Sequence, residues 1–292
     1  MLFRSRTGSS PGVKPLVITG PTGAGKSEWA MRLAERWGAV IVSMDAMAVY
    51  RGMDIGTAKP TLAERARVPH RCIDLRNPDE PFAATDFVAE AEAAPDPRIL
   101  CGGTPFYLRA WWAPLVDAPS ADPRLRAELE SLPDPHARLR EVDPVLAARL
   151  HPNDRVRIVR GLEVHALLGR PLSALHAEDR GTRRDAEIVW VDRDDLYDRL
   201  DARVDAMMAA GYLEEVRALL AAGYARTLKP MLSLGYRHLA AHLAAELPLE
   251  EAVRLTKRDT RHFARKQRTF LRSLGLSPGG DPDAAAARAF SG

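Results

Sequence analysis

The chain has 292 residues, of which 46% are hydrophobic and 28% are charged, a globular composition that excludes global disorder. No run of about 18 apolar residues occurs, so the sequence excludes a membrane-spanning helix. The two cysteines are too few for a disulfide framework and lack the spacing of a zinc site. The formal net charge of +3 does not indicate a nucleic-acid partner by itself, so the distribution of charge must decide.

The predicted elements alternate between strands and helices along the first third of the chain. Short β-branched runs predict buried parallel strands at 14–19, 39–44, 98–101 and 187–191. The spacing of apolar residues predicts helices at 27–37, 85–93, 123–132, 135–150, 154–169, 194–209, 212–222, 234–244 and 249–273. The alternation predicts an α/β fold with a parallel sheet flanked by helices.

The segment after about Asp122 carries helical patterns and no strand signal until the last predicted strand, which indicates a helical insertion. The N-terminal segment is basic but lacks the apolar core of a secretory signal, and it is expected to be a frayed tail, with an organelle transit peptide as the alternative. The two cysteines fit a reducing interior, and we expect a cytoplasmic monomer. The predicted organisation is a catalytic core at 14–120 plus 186–275, a helical insertion at 121–185, and flexible tails at 1–13 and 277–292.

A phosphate-binding motif directly follows the first predicted strand. The pattern G-x-x-x-x-G-K-[ST] is matched in full and leads into a predicted helix, which is the context that the motif requires. Its glycines let backbone N–H groups point inward, and its lysine supplies a cation. A glycine turn without a ligand is the alternative. We predict that a diphosphate or triphosphate is bound by Gly20, Pro21, Thr22, Gly23, Ala24, Gly25, Lys26 and Ser27, with the Ser27 hydroxyl as a Mg²⁺ ligand.

Two further strand ends carry polar residues, Asp45 after the second strand and Thr104 after the third. Ligands of open parallel sheets bind beyond the carboxyl ends of the strands, so the topology predicts that both residues converge on the motif. Asp45 could accept a proton from an attacking nucleophile, while a magnesium ligand or a strand-terminal cap is equally open. Thr104 could orient the acceptor or a phosphate oxygen, or it could simply begin the next helix.

A basic helix is predicted near the C-terminus. Residues 254–272 contain eight basic residues and one acidic residue, and six of the arginines recur at spacings of three and four, which places them on one helix face. No glutamate interleaves with them, which favours phosphate contact over a solvated surface. The arginine stripe consists of Arg254, Arg258, Arg261, Arg265, Arg268 and Arg272, and the opposite, packing face is expected to contain Leu255, Phe263, Phe270 and Leu274.

Taken together, several segments resemble the tRNA dimethylallyltransferases, also called tRNA isopentenyltransferases. The resemblance runs from about residue 14 to residue 275, and the MDIGTAKP stretch at 53–60 is highly specific. It implies a P-loop NTPase-like parallel sheet with an inserted helical tRNA-binding domain. The matching segments, in the family's order and spacing, are 20–27, 45–52, 53–60, 68–74, 102–104, 154–164, 235–237 and 260–270.

The resemblance implies transfer of a dimethylallyl group from dimethylallyl diphosphate to N6 of the adenosine just 3′ of the anticodon, in tRNAs reading codons that begin with U. The motif would hold diphosphate as the leaving group, with Mg²⁺ as cofactor and no ATP hydrolysis. Asp45 would be the general base and Thr104 would shape the reaction channel. Arg199 and Arg203 would reach the diphosphate, with surface ion pairing to neighbouring aspartates as an equal alternative. The residues implied in contact with the tRNA anticodon loop are Asp45, Ala46, Met47, Ala48, Thr104, Arg157, Arg160, Gly235, Tyr236, Arg237, Arg261, Arg265, Lys266 and Gln267.

Some positions depart from the family's pattern. Ala46 and Ala48 replace a serine and a glutamine, and since the glutamine position normally helps to read RNA, base discrimination is expected to be looser or handled elsewhere. An enzyme that prenylates free adenine nucleotides would need the same motif and Asp45, but not the insertion or the arginine stripe. A P-loop small-molecule kinase and an RNA-binding nucleotide switch are further alternatives, although no N-K-x-D base-reading motif occurs.

Overall fold

The computed structural model describes residues 12–113, 116, 118–119, 121–178 and 182–291. The chain divides into a core unit (Met1–Trp112 and Arg184–Gly292) and a helical unit (Ala113–Arg183). The sequence predicts these boundaries at 121 and 185, just before the first helical pattern of this segment and just before the last predicted strand. The expected N-terminal tail at 1–13 lies outside the described residues, apart from its last two positions.

The core unit contains five parallel strands: β1 (Leu16–Thr19), β2 (Val40–Ser43), β3 (His70–Arg71), β4 (Arg98–Cys101) and β5 (Glu187–Trp190). They hydrogen-bond in the order β3-β2-β4-β1-β5, so all five strands end at one edge of the sheet. In the register of β1, Leu16 lies opposite Ile99 on one side and Glu187 on the other. The parallel α/β sheet is thereby confirmed, whereas the two-residue β3 is too short to carry an alternation pattern and was missed.

Helices cover both faces of the sheet and form the whole of the helical unit. In the core unit they are α1 (Lys26–Trp37), α2 (Leu62–Arg67), α3 (Ala84–Glu92) and α4 (Pro105–Trp112). In the helical unit they are α5 (Pro123–Glu130), α6 (Pro135–Val142), α7 (Pro144–Ala147), α8 (Arg155–Leu168) and α9 (Leu172–Glu178). The core unit resumes with α10 (Leu196–Ala209), α11 (Tyr212–Ala221), α12 (Tyr236–Leu243), α13 (Leu249–Ser273) and α14 (Pro282–Phe290). Among the described residues, no helix combines the length and the hydrophobicity of a membrane span.

The helix predicted at 135–150 is broken into α6 and α7 at Asp143. The Asp143 carboxylate is buried and accepts hydrogen bonds from the amides of Leu146 at 3.0 Å and Ser173 at 2.8 Å. Asp143 therefore caps α7 and ties it to α9, while Pro144 at the first helical position supplies no N–H that would need a partner.

The prediction of a flexible C-terminal tail is wrong for α14. Ala285 and Ala289 are completely buried against the sheet, and the Phe290 ring contacts Trp37 edge-on with the centroids 5.8 Å apart. An ion pair of 2.8 Å joins Asp283 to Arg32 on α1. The alanine-rich composition resembled a loose tail, but small side chains let a helix approach the sheet closely, and this helix completes the core.

Candidate active site

The phosphate-binding loop begins where β1 ends and stops where α1 begins. Gly20 lets the loop pass close to the end of β5, because a Cβ at this position would lie 2.0 Å from the Val191 carbonyl oxygen. Gly25 precedes α1 with a φ of 92°, in the left-handed region, and no side chain caps the helix. The amides of Lys26 and Ser27 have no acceptor within the described chain. The loop therefore offers backbone N–H groups and the positive end of a helix to an anion.

Lys26 is the buried cation of this loop. The residue is only 8% exposed, and its Nζ donates a hydrogen bond of 2.7 Å to the Pro21 carbonyl oxygen. Burial lowers the pKa of the Lys26 ammonium to about 8, and the nearby Arg203 guanidinium acts in the same direction while the Asp45 carboxylate opposes it. A buried ammonium without a carboxylate partner is stabilised when an anionic ligand arrives.

Arg203 and Arg199, both on α10, are in different environments. Arg199 forms a surface ion pair of 2.8 Å, as the alternative expected, but its partner is Glu28 on α1 and not a neighbouring aspartate. Arg203 is half-buried and makes no ion pair or hydrogen bond within the described chain. Burial lowers the pKa of Arg203 below its ordinary value, and the Asp45 carboxylate opposes this. Arg203 is thus an unpaired cation within electrostatic reach of both Lys26 and Asp45.

Asp45 and Thr104 meet at the ends of β2 and β4. The Asp45 Oδ1 accepts hydrogen bonds from the amides of Met47 at 2.8 Å and Ala48 at 3.3 Å. The Thr104 Oγ1 accepts one of 3.1 Å from the Ala46 amide, which joins the two loops. No described residue donates to the Asp45 Oδ2. Two amides orient the carboxylate, and its second oxygen remains available to a proton.

Gln267, predicted to contact tRNA, is 3% exposed and lies at the phosphate-binding loop instead of on the outer surface of α13. Its Oε1 accepts a hydrogen bond of 2.9 Å from the Thr22 amide, and its Nε2 donates to the Gly103 carbonyl oxygen. One amide side chain therefore connects the phosphate-binding loop to the loop that carries Thr104. The sequence offers no signal for this contact, because the partners are 245 and 164 residues away.

The arginine stripe is mostly neutralised, so the expectation of a free basic face is wrong for four of its six members. Two of the counter-charges, Glu251 and Asp259, lie on α13 itself, and the other two, Asp201 and Asp192, come from segments that the helix's own sequence does not reveal. Arg272 lies over the Trp190 ring at 5.9 Å, and only Arg265 has no charged or aromatic partner within the described chain. The ion pairs join Arg254 to Glu251, Arg258 to Asp259, Arg261 to Asp201 and Arg268 to Asp192.

The packing face of α13 also differs from the prediction. Phe263 is 38% exposed, while polar side chains such as Asp259 and Gln267 are buried. These buried polar side chains are tolerated because they form hydrogen bonds and ion pairs with loops and neighbouring helices. The buried residues of α13 are Ala252, Thr256, Asp259, Ala264, Gln267 and Leu271.

Several other predicted tRNA contacts are engaged within the protein. Tyr236 is fully buried and its hydroxyl donates to the Glu215 carboxylate at 2.6 Å, so this ring does not face the solvent. Gly235, just before it, has a φ of 78°, and Arg237 forms an ion pair with Asp259. Ala48, with 4% exposure, is buried as well, whereas Ala46 and Met47 are half-buried and Lys266 is exposed.

In the helical unit, Arg157 is exposed and pairs with Asp154 at 2.6 Å. Arg160 is tied to the fully buried Glu163 and donates to the Pro119 carbonyl oxygen at 2.7 Å. Arg160 therefore stabilises the helical unit, while Arg157 keeps much of its surface free.

Glu215 is a site-supporting residue that the sequence did not reveal. Its carboxylate accepts hydrogen bonds from the consecutive amides of Asp54 at 2.8 Å, Ile55 at 2.6 Å and Gly56 at 3.1 Å. Because it also accepts a hydrogen bond from the Tyr236 hydroxyl, Glu215 connects the MDIGTAKP segment to the start of α12. A glutamate in a helix gives no such signal, because its partners are about 160 residues away.

The residues around Ser27 fit a magnesium ion only together with a bound diphosphate. Within the described chain, no group of three or more histidine, cysteine or carboxylate side chains could hold a metal. Ser27 is exposed on the first turn of α1, and its hydroxyl has no hydrogen-bond partner there. Mg²⁺ commonly takes one or two protein ligands together with phosphate oxygens and water, which this arrangement can provide.

Two family models match the sequence: one described as IPP transferase over residues 48–274, and one described as Isopentenyl transferase over residues 13–77. The chain is 48% identical over 272 residues to tRNA dimethylallyltransferase 1 of Citrifermentans bemidjiense, with 89% of each protein covered. It is 49% identical over 274 residues to tRNA dimethylallyltransferase of Geobacter metallireducens, which covers 88% of this chain and 89% of that protein.

Solved structures agree with the sequence matches. A tRNA delta(2)-isopentenylpyrophosphate transferase from Staphylococcus epidermidis is 29% identical, with a TM-score of 0.64 and 91% of each chain covered. A eukaryotic dimethylallyltransferase acting on tRNA is 27% identical, with a TM-score of 0.76 over 88% of this chain and 70% of that one. This chain belongs to the IPP transferase family, and the relatives it matches are tRNA dimethylallyltransferases.

Proposed function

We propose that this protein transfers the dimethylallyl group of dimethylallyl diphosphate to N6 of the adenosine directly 3′ of the anticodon, in tRNAs that read codons beginning with U. Family membership supports the class of reaction. The observation that carries the proposal is the position of Asp45, whose charge acts on both Lys26 and Arg203, cations beside the phosphate-binding loop to which the described residues supply no carboxylate partner.

This arrangement suits a displacement in which a diphosphate leaves and a proton is removed. The N6 lone pair attacks C1 of the dimethylallyl group, the bond from C1 to the diphosphate oxygen breaks, and the N6 proton passes to Asp45 Oδ2. The backbone amides of the loop, Lys26 and Arg203 would absorb the negative charge of the leaving group. Removing the proton matters because the adenine amine is a poor nucleophile.

We propose that Ser27 holds Mg²⁺ together with the diphosphate oxygens. When bound, the ion would neutralise charge on the leaving group and make it easier to expel. The protein's own contribution is to present the Ser27 hydroxyl on the first turn of α1, next to the amides that face the same anion.

The acceptor is proposed to be tRNA rather than a free nucleotide, because the relatives named above are described as acting on tRNA. An adenine-nucleotide prenyltransferase would use the same anion site and base, so it remains the second candidate. The matches to tRNA-modifying relatives argue against a small-molecule kinase.

Mass spectrometry of tRNA nucleosides tests the proposal. After incubation with dimethylallyl diphosphate and unmodified tRNA, we expect the digest to contain N6-dimethylallyl adenosine. AMP supplied in competition should remain unmodified. Modified AMP together with unmodified tRNA would favour the second candidate, and phosphorylated products formed from ATP would favour a kinase.

A further inference from the structure

Phe263 lies on the inward face of α13 but is not covered. Asp259, Phe263 and Gln267 are four positions apart, so their side chains point to the same side of the helix. Asp259 is 7% exposed and Gln267 3%, yet Phe263 between them is 38% exposed. An aromatic ring in the middle of a buried row is normally covered. The packing beneath α13 therefore opens at this single turn.

The two ends of this opening are fixed by polar contacts. At one end, Arg237 pairs with Asp259, and His238 Nε2 lies 2.9 Å from the same carboxylate. At the other end, Gln267 donates to Gly103, the residue before Thr104. Eight residues at about 1.5 Å each separate Asp259 from Gln267, so Phe263 lies about 6 Å from each along the helix axis. The Gln267 end adjoins the loop that carries Thr104.

The surroundings of the opening carry positive charge. Lys266 is three positions from Phe263, hence on a neighbouring part of the helix surface. Lys266 and Arg265 are both exposed, and neither has an ion pair within the described chain. An exposed aromatic ring beside free cations is the combination that binds single-stranded nucleic acid, with the ring stacking on a base and the cations meeting phosphates.

The side of α13 that carries Ala264 faces the phosphate-binding loop. Ala264, the next residue round the helix, packs with Ala24 of the phosphate-binding loop and with Leu200 on α10. Gln267, on the same face as Phe263, also reaches this loop through the Thr22 amide, so Phe263 lies one turn away from the donor site, between Gln267 and the contacts of Asp259 with α12. The exposure of the Phe263 ring and the exposed cations beside it favour the RNA acceptor over the dimethylallyl chain as the group that Phe263 meets.

We infer that Phe263 is a stacking platform for the unpaired base next to the adenosine that is alkylated, with Lys266 meeting an adjacent phosphate. The inference rests on the proposed function and adds to it a residue that positions the acceptor. Stacking on a phenyl ring requires no hydrogen bond and is tolerant of base identity. It therefore suits a site in which Ala46 and Ala48 offer no polar side chain to the RNA.

An anticodon stem-loop RNA with 2-aminopurine beside the target adenosine tests this. Wild type and Phe263→Trp should quench the fluorescence on binding, whereas Phe263→Leu, which keeps the apolar volume, should not. The KM for the RNA should rise about 5- to 100-fold in Phe263→Leu, and the KM for dimethylallyl diphosphate should stay unchanged. Leu62→Ala, at an apolar residue that is 82% exposed on α2, is the matched control and should leave every value unchanged.

Three results would overturn the inference. Quenching by Phe263→Leu equal to wild type would show that the ring does not stack on the base. A rise in the KM for dimethylallyl diphosphate alone would assign the ring to the donor. Equal losses for both substrates, not rescued by Phe263→Trp, would make the residue structural. If wild type bound the RNA but transferred nothing, the proposed reaction would fail, while the quenching comparison would still decide the role of Phe263.

Discussion

Replacing Gln267 by alanine removes both hydrogen bonds that connect the phosphate-binding loop to the Thr104 loop. The Thr22 amide and the Gly103 carbonyl oxygen would lose their partners in a buried setting. An unpaired buried polar group costs about 1–3 kcal/mol, and since water can enter the space left by the side chain, we expect a total of about 2–4 kcal/mol. Part of this cost should appear as weaker donor binding, because the loop is no longer held in place.

The assay is steady-state transfer with each substrate varied in turn. Gln267→Ala should raise the KM for dimethylallyl diphosphate about tenfold to a hundredfold, at 1.4 kcal/mol per factor of ten. The KM for tRNA should change little. Gln267→Met, which keeps the length without the amide, should behave like the alanine variant. A rise in the KM for tRNA with an unchanged KM for the donor would refute this reasoning and restore Gln267 as an RNA contact.

Other consequences of the site geometry can be measured in the same system. Lys26 has a pKa of about 8 in the free protein, so its positive charge is lost as the pH rises above that value. We therefore expect kcat/KM for the donor to fall about tenfold per pH unit above pH 8, and a flat profile from about pH 7 to about pH 10 would contradict this. Arg203→Ala should raise the donor KM about 10- to 150-fold, whereas Arg199→Ala, at a surface ion pair, should change it less than about threefold. Equal effects on the donor KM would show that the two arginines do not differ in their contribution to donor binding. Glu215→Ala should lower the free energy of unfolding in urea by about 2–3 kcal/mol, since three amides and the Tyr236 hydroxyl lose their acceptor; an unchanged midpoint would show that these bonds are not needed.

The sheet and the convergence of its strand ends could be predicted because they depend on local patterns. The strands are short, buried and β-branched, and a parallel arrangement brings their carboxyl ends to one edge. Asp45 and Thr104 follow two such ends, so their proximity to the phosphate-binding loop followed from topology alone. In the structure, the hydrogen bond from the Ala46 amide to Thr104 Oγ1 joins the loops that follow these two strands.

The environment of each charge could not be predicted, because it depends on distant residues. The arginine stripe on α13 contains no glutamate, but Asp201 and Asp192 approach it from 60 and 76 residues away. For the same reason, sequence spacing did not separate Arg199, which is paired, from Arg203, which has no ion pair in the described part of the chain. A helical pattern reports the face on which a side chain lies, but not which residues lie opposite.

The C-terminal helix was missed for a different physical reason. Alanine-rich segments bury little area per residue and carry no strong hydrophobic pattern, so they resemble loops. In α14 the small side chains permit close contact with the sheet, and Asp281 caps the helix by accepting a hydrogen bond from the Asp283 amide at 3.0 Å. The cap and the following proline were visible in the sequence, and they were the available signal.

The central claim is that Asp45 and the phosphate-binding loop serve the same displacement reaction, Asp45 as the base and the loop as the site of the leaving diphosphate. The most direct test is Asp45→Asn, in which the size and the two amide contacts of the side chain can be kept while the base is removed. With donor binding and single-turnover transfer to tRNA measured on the same preparation, the affinity for dimethylallyl diphosphate should stay within about threefold while the transfer rate falls about 100- to 10,000-fold. Transfer at the wild-type rate would mean that the proton leaves by another route and would contradict the account.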